Sequence, residues 1–437
     1  MTLSPIRSVL LAMLVLTSAI IGGATSAADT PDGRSQHPAG GSDWPQFLGP
    51  QRNGHSTEEN LNLDWTRRKP PLLWRVPLGK GFSSPIVVGE RLYVTASKDG
   101  KDYVVCYNAN TGNGIWFREL GTTFLDRQRQ GAGPRSTPTY HDGLLYCLQP
   151  EGDLFCLQSS TGDVVWKTNV IRQANGDNPG KKTEYYWGLS GSPLIEANLV
   201  IVPSAGNRDN AFVAFDRTDG HIVWSVGTDP PGYASPIMIT VADQRQIIGF
   251  TGQSLMAISP TDGKQLWRFP WGNQYNCNCA TPLIDGETLL ISSAYGTGVS
   301  QLLVQAEGQS SGVIPLWSNK NLQNQFATSM IVDGHVYGPH GDNAGVTFRC
   351  LELQTGDRSW VAREPGKCTM IEAAGHLICQ VESGDLVLVK ADPKSYTERG
   401  RVAGLLHDKA WAPPALSRGR LYSRDQQELI CLDLRQP

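Results

Sequence analysis

Short β-like runs of apolar residues alternate with tight turns along most of the chain, and the arrangement recurs. Each unit opens with a small residue and a proline, then passes into a β-like run, a tight turn and a second β-like run. Ser84-Pro85, Thr137-Pro138, Ser192-Pro193, Ser235-Pro236, Thr281-Pro282 and Pro413-Pro414 mark such starts, with Ser329-Met330 and Thr369-Met370 as variants. The eight starts are separated by 53, 55, 43, 46, 48, 40 and 44 residues. A period of about 40 to 50 residues is the length of one four-stranded blade of a β-propeller. Val88-Gly89-Glu90, His141-Asp142-Gly143, Ile284-Asp285-Gly286 and Val332-Asp333-Gly334 supply the positive-φ positions that tight hairpins need.

The second half of each unit is as regular. A glycine stands four residues before a tryptophan at Gly112/Trp116, Gly162/Trp166, Gly220/Trp224, Gly263/Trp267 and Gly356/Trp360, and Gly312/Trp317 is one residue longer. In the seventh unit Tyr396 is the only aromatic of the last segment. The expected role of these indoles is docking between neighbouring blades, because rings of that size bury well between stacked sheets. A ligand platform is the alternative.

The eighth unit stops after Leu429 to Leu434, one strand short, while Leu72 to Leu78 precedes the first unit yet has the character of a fourth strand. Trp74 occupies its docking place. The predicted fold is therefore all-β, an eight-bladed propeller of four-stranded antiparallel blades over residues 62–437. A strand at about 72–78 completes the last blade and leaves no free sheet edge.

Composition agrees with this and narrows the function. Hydrophobic residues are 40% and charged residues 18% of the 437, an ordinary globular balance. The 47 glycines and 28 prolines favour turns over long helices. A net charge of -3 argues against nucleic acid as a partner. At the N-terminus Arg7 precedes an apolar run from Val9 to Ile21 and small residues through Ala28, the shape of a secretory signal over 1–28. That run is short for a membrane span, which needs about 20 residues. An exported protein, periplasmic or extracellular, is expected. Residues 29–61 read as a partly disordered leader.

Nine cysteines in an exported chain invite disulfides. Cys106, Cys156, Cys350 and Cys431 share the third-strand place of four different units and are expected to be buried and unpaired. Cys147 and Cys156 nonetheless flank the Glu151-Gly152 turn symmetrically, so a hairpin bond is the alternative there, and Cys368–Cys379 is a second candidate. Cys277-Asn278-Cys279 is the most unusual local feature, read either as packed thiols or as a redox pair or ligand-contacting thiol site. No CxxC occurs, so haem attachment and paired-thiol zinc find no support. Residues 176–183 imitate a phosphate loop with wrong spacing, and Gly188-Leu189-Ser190-Gly191-Ser192 lacks the final glycine of a nucleophile elbow. No carboxylate pair stands at a recognisable glycosidase spacing.

The small-residue/Pro starts, the Thr-Gly turns and the tryptophans resemble the repeats of quinoprotein-like propellers, over about residues 62–437. Trp44-Pro45-Gln46-Phe47-Leu48-Gly49-Pro50, Gly133 to Pro138, Trp187-Gly188 and Ala294-Tyr295-Gly296 are similar to exported single-domain PQQ-like proteins, although an arginine is commonly expected where Leu48 stands. The resemblance implies two functions. One is a ligand- or protein-binding scaffold without chemistry of its own. The other is a pyrroloquinoline quinone (PQQ)-dependent dehydrogenase of an alcohol or sugar. The latter implies PQQ and Ca²⁺, an adjacent Cys-Cys disulfide, a tryptophan beneath the quinone and carboxylate ligands; Cys277 and Cys279 are instead separated by Asn278. No catalytic residue and no metal ligand is assigned.

Ligands of propellers usually meet the loops that lead into the innermost strands. Lys80, Arg135, Tyr186, Trp187, Tyr233, Asn276, Gln325, Lys367 and Trp411 stand at those places, and the loops 116–138 and 166–193 are long. Aromatic, cationic and amide groups together suit an anionic or sugar-like small molecule, or a peptide of an envelope protein.

Overall fold

A computed structural model describes residues 42–436 except 127, 175–185, 207, 308–309 and 343–344. The signal segment, the whole of the 29–41 stretch and most of the insertion at 175–187 lie outside the described residues. Eight sheets, each with four antiparallel strands and one with a short fifth, parallel strand, follow one another around an axis. Blade 1 comprises Ile86–Val88, Arg91–Lys98, Lys101–Asn108 and Gly114–Thr122, counted from the axis outward. The innermost strands of blades 2 to 8 are Thr139–His141, Leu194–Glu196, Ile237–Val241, Leu283–Asp285, Met330–Val332, Cys368–Ala373 and Ala415–Ser417. Val170–Gln173 is the one helix among the described residues.

The ring closes as the missing strand required. Leu72–Pro77 pairs antiparallel with Glu428–Asp433, Trp74 opposite Cys431, and supplies the outer strand of blade 8. The hydrophobic core is divided among the blade interfaces. Tyr146, Leu148, Val200 and Val213 fill one between blades 2 and 3, while Ile201, Phe212, Ile247 and Met256 fill the next.

Two local devices explain the repeat. At the axis, the hydroxyl that precedes the proline accepts a hydrogen bond from the matching backbone N–H of the blade before it. Ser84 N–H donates to Thr137 Oγ1 (2.9 Å), Thr137 N–H to Ser192 Oγ (3.0 Å) and Ser192 N–H to Ser235 Oγ (2.9 Å). The inner strands begin at this belt, so these buried N–H groups find a partner in the next blade. At the rim, the outer-strand indoles other than Trp267 lie on the turn of the following blade. Trp74 Nε1 donates to Ala109 O, Trp116 to Ser159 O, Trp166 to Arg217 O, Trp224 to Pro260 O and Trp317 to Leu353 O. A Cβ on Gly112 would come 2.9 Å from the Trp74 ring, and φ there is 74°, so glycine serves both the turn and the close approach.

The two irregular units depart for visible reasons. In blade 5 the long hairpin Gly298–Glu307/Ser310–Asn319 replaces the Thr-Gly turn, so Gly312 sits within a strand and Trp267 Nε1 bonds Gln246 Oε1 of its own blade (2.8 Å). In blade 7 Tyr396 packs back on Trp360, with ring centroids 6.0 Å apart. The place a forward indole would take is filled from the start of the chain by Trp65, whose N–H donates to Arg399 O (2.9 Å) and which lies against Gly400.

The segment 42–61 is ordered and runs across the ring. Trp44 pairs with Val87 of blade 1, Pro45 O accepts from Tyr140 N of blade 2, and Arg52 donates to the Ser192 and Pro193 carbonyls of blade 3 (both 2.8 Å). Leu48 packs on Met330 of blade 6, His55–Ser56 adds a parallel strand to blade 7, and Glu58 accepts from the Arg418 and Gly419 N–H groups of blade 8.

None of the cysteines is bonded to another. The Cys147–Cys156 expectation fails on register: Cys156 stands opposite Tyr146 and Cys147 opposite Phe155. The offset of one residue sends the two thiols to opposite faces of blade 2 and into different cores. Cys368 and Cys379 share a face of blade 7 but lie diagonally, Cys379 facing Met370.

Candidate functional site

On the side where the chain enters the inner strands, the loops enclose a cavity of about 400 Å³ on the axis. Its wall includes the start-site residues Ser192, Ser235, Thr281 and Thr369 and Thr328, the residue before the Ser329 start, and Phe47 of the crossing segment also borders it. The segment that spans the ring therefore makes the floor of the cavity. The volume falls within the usual range of small-molecule sites, about 300 to 1,000 Å³.

Six of the nine sequence-derived candidates line this space: Arg135, Trp187, Tyr233, Gln325, Lys367 and Trp411. The other three stand outside it. Lys80 is in a backbone bridge with Ser97, and Asn276 occupies a turn closed on Asn273 with φ 53°. Tyr186 is buried behind the wall, where its hydroxyl donates to Pro150 O (2.8 Å) and its ring packs edge-on to Phe124. Sequence reasoning missed Phe47, Phe82, Tyr275, Tyr295, Phe326 and Asp342. Phe82 and Phe326 are adjacent to starts already recognised, so their position was available; Phe47 was not, because the segment carrying it belongs to no repeat.

Arg135 is held rigidly. Its Nη2 donates to Asp126 Oδ2 (2.8 Å) and Gly131 O (3.0 Å), and its guanidinium lies 5.1 Å from the Phe82 ring centroid and 5.4 Å from that of Phe124. Asp126 in turn accepts from the N–H groups of Gln130 and Gly131, so the insertion at 126–131 exists to seat this cation. Burial pulls the Arg135 pKa down and the Asp126 charge pulls it back. Across the cavity, Lys367 Nζ is 3.5 Å from Glu382 Oε1 and faces the rings of Phe326 (5.0 Å) and Trp411 (4.9 Å). Burial lowers its pKa, with Glu382 opposing. Trp411 Nε1 donates to the same Glu382 oxygen (2.6 Å).

Trp411 is the centre of a ring stack, with Phe82 at 5.2 Å and Phe326 at 4.6 Å. On the facing wall Gln325 Nε2 donates to Tyr295 Oη (3.1 Å), Tyr275 meets Tyr295 edge-on at 4.8 Å, and Trp187 meets Tyr233 at 5.7 Å. Two buried polar atoms of the lining residues, Arg135 Nε and Gln325 Oε1, have no hydrogen-bond partner among the described residues. Buried polar atoms normally find one.

These groups offer hydrogen-bond donors, cations and aromatic edges, the complement of an anionic ligand. They do not fit the calcium-bound quinone that the quinoprotein resemblance implies. Asp342 is the sole carboxylate among the described lining residues, whereas calcium takes about six to eight oxygen ligands with several carboxylates among them. The stack also covers the Trp411 indole with Phe82 and Phe326. The cluster of Asp216, Asp219 and His221 lies on an exposed turn of blade 3, engaged in that turn's own hydrogen bonds.

Residues 100–362 match the model of a PQQ-like repeat family described as outer membrane protein assembly factor BamB. The chain is 27% identical over 187 residues to tetrathionate hydrolase of Acidithiobacillus ferrooxidans, a match over 36% of this chain and only 37% of that protein. It is 23% identical over 305 residues to outer membrane protein assembly factor BamB of Bordetella pertussis, over 67% of this chain and 68% of the relative. Among solved structures, quinohemoprotein alcohol dehydrogenase from Comamonas testosteroni superposes with TM-score 0.61 at 14% identity, covering 90% of this chain and 81% of the other. BamB from Moraxella catarrhalis superposes with TM-score 0.59 at 14% identity, covering 83% and 99%. At that identity the structural likeness speaks for the fold alone. The repeat match extends over more than half of the residues, and the chain belongs to the PQQ-like repeat family described as outer membrane protein assembly factor BamB.

Proposed function

We propose that the protein is an exported propeller acting as a binding module, which takes a small carboxylate-bearing ligand in its axial cavity and carries out no chemistry on it. The observation that carries this reading is the pairing of two largely buried cations, Arg135 and Lys367, whose side chains are 8% and 16% exposed, with aromatic walls and with a buried Arg135 Nε donor that has no acceptor among the described residues. Both cations are positioned by carboxylates behind them, which holds their donors in place before a ligand arrives. Neither Tyr233 nor Tyr295 is suited to act as a base, since burial raises both phenol pKa values.

Calorimetric titration with PQQ, itself a planar tricarboxylate, with and without Ca²⁺, tests the reading when coupled to a dye-reduction assay over alcohols and sugars. Calcium-independent binding that is lost in Lys367→Ala, without dye reduction, supports it. Micromolar calcium-dependent binding with turnover overturns it in favour of a quinone-dependent dehydrogenase.

A second reading, a scaffold for an envelope protein, is favoured by the family match and by the apolar outer strands. Phe117 is 70% exposed, and Ile115, Val164, Val165, Ile314 and Leu316 are also exposed. Patches of this kind on a rim suit protein contacts. Pull-down from envelope extracts with wild type and Phe117→Ser distinguishes this rim from the cavity. Recovery of the protein in the periplasmic or extracellular fraction tests export.

A further inference from the structure

The Cys277-Asn278-Cys279 segment enters the cavity wall in a form that neither reading uses. Asn278 is fully buried and pinned on every side. Its Nδ2 donates to Thr251 O (2.8 Å) and Trp271 O (2.9 Å), its Oδ1 accepts from Ser293 Oγ (2.6 Å), and its carbonyl accepts from the Tyr233 and Ala234 N–H groups. Cys277 is fixed as well, its N–H donating to Asn273 Oδ1 (3.1 Å) and its carbonyl accepting from Asn273 Nδ2 (2.9 Å). With Asn278 turned into the protein, residues on either side of it border the cavity, and both cysteines do so. The Cys279 thiol neighbours that of Cys277, and Tyr233, Tyr275 and Tyr295 border the same cavity.

We propose that Cys277 and Cys279 form a two-coordinate site for a soft monovalent cation, Cu(I) or Ag(I), opening on the axial cavity. Thiolate sulfur is the donor that selects such ions. Zinc would need about four ligands, and among the described residues no histidine, carboxylate or further cysteine joins the pair into a larger donor group. A disulfide is the competing fate of two adjacent thiols. It would require the sulfurs to close to bonding distance, about 2.05 Å, by puckering a segment whose central residue is clamped by five hydrogen bonds. A bridging cation holds two sulfurs farther apart than a disulfide does, so it asks less movement of that backbone. On loading, one metal–sulfur bond forms at each Sγ, both thiol protons leave to solvent, and no electron is transferred.

The site is independent of the proposed carboxylate ligand, and its test does not use that ligand. Purified full-length protein is titrated anaerobically with Cu(I) against a competing chelator and, separately, with Ag(I). The expected result is one tight equivalent with ultraviolet thiolate charge-transfer absorption, lost in Cys277→Ser and in Cys279→Ser but kept in Cys147→Ser. X-ray absorption of loaded wild type, which needs no variant to fold, is expected to show two sulfur scatterers and no nitrogen or oxygen shell. An unchanged equivalent in the double variant, a higher-coordinate shell, or a Cys277–Cys279 disulfide found by mass spectrometry in freshly purified protein would overturn the proposal. Loss of PQQ binding with Cu(I) loading intact would count against the carboxylate reading alone.

Discussion

Two pieces of chain that precede the first blade do different work, and only one announces itself in the sequence. The Leu72–Pro77 strand completes blade 8 by repeating what every other blade contains, an outer strand with an indole that docks on the next turn. The segment 44–58 repeats nothing. It touches blades 1, 2, 3, 6, 7 and 8 through contacts of different kinds and brings Phe47 to the axial cavity. A ring built from copies needs one copied element to close it and one unique element to plug it. The strand sets whether the ring exists, while the floor sets how deep its cavity is.

The largest expected effect is on closure. Deletion of residues 62–78 removes the outer strand of blade 8 together with Trp65 and Trp74, and cooperative melting should be lost or displaced downward by well over about 10 °C. Trp74→Ala alone should cost about 3 to 5 kcal/mol in denaturant unfolding, since the indole is nearly buried and its Nε1 bonds Ala109 O. An unchanged midpoint for either protein would break the comparison at its first term.

Arg52→Ala should cost less, about 2 to 3 kcal/mol, because it strips the Ser192 and Pro193 carbonyls of a charged donor while leaving every blade intact. Burial lowers the Arg52 pKa to about 9, which marks how dry that contact is. The same variant should also weaken ligand binding in the cavity, which Trp74→Ala, measured where it is still folded, should not.

Glycines sharpen the contrast on a finer scale. Gly112→Ala forces a Cβ onto the Trp74 ring at a positive φ and should destabilise by about 1 to 3 kcal/mol. Gly89→Ala has a positive φ but open space around it, so it should fall at about 1 kcal/mol, near the bottom of that range. Equal losses would mean that the indole contact contributes nothing.

The smallest effect is expected from pH at the floor. Burial raises the Glu58 pKa above its ordinary 4.5. The folded state then holds the proton more tightly than the unfolded one, so the Glu58 contribution is fully present below about pH 4.5 and is lost as pH rises through the folded pKa. Wild type should therefore gain stability relative to Glu58→Gln as the medium is acidified from neutrality toward that value. A gap that narrows on acidification would contradict the assignment.

The repeat made most of the fold legible. Ser/Thr-Pro starts mark the hydroxyl belt, and glycines four residues before tryptophans mark the rim, because both devices recur in successive blades. The missing eighth outer strand could be inferred from the same rule. What had no second copy was hidden: the crossing of 44–58, the substitution of Trp65 for a blade 7 indole, and Phe47 in the cavity. The Cys147–Cys156 expectation failed because symmetry about a turn says nothing of register, and one residue of offset put the thiols on opposite faces. At the cavity, loop position identified Arg135, Trp187, Tyr233, Gln325, Lys367 and Trp411, whereas Tyr186 is the same residue type turned into the wall and Lys80 is exposed outside the cavity lining. Loop position fixes proximity to the axis, but side-chain direction depends on local turns that a pattern of residue types does not encode.

Hydrogen exchange across residues 44–54 of the wild-type protein tests most directly whether the start of the chain is part of the ring. The amides of Trp44, Arg52 and Gly54 all donate to backbone carbonyls, so they should be protected to an extent comparable with the Leu72–Pro77 strand and open only with the blades. Exchange of that stretch at the rate of free peptide, with the blade amides still protected, would remove the floor from the cavity and contradict the account.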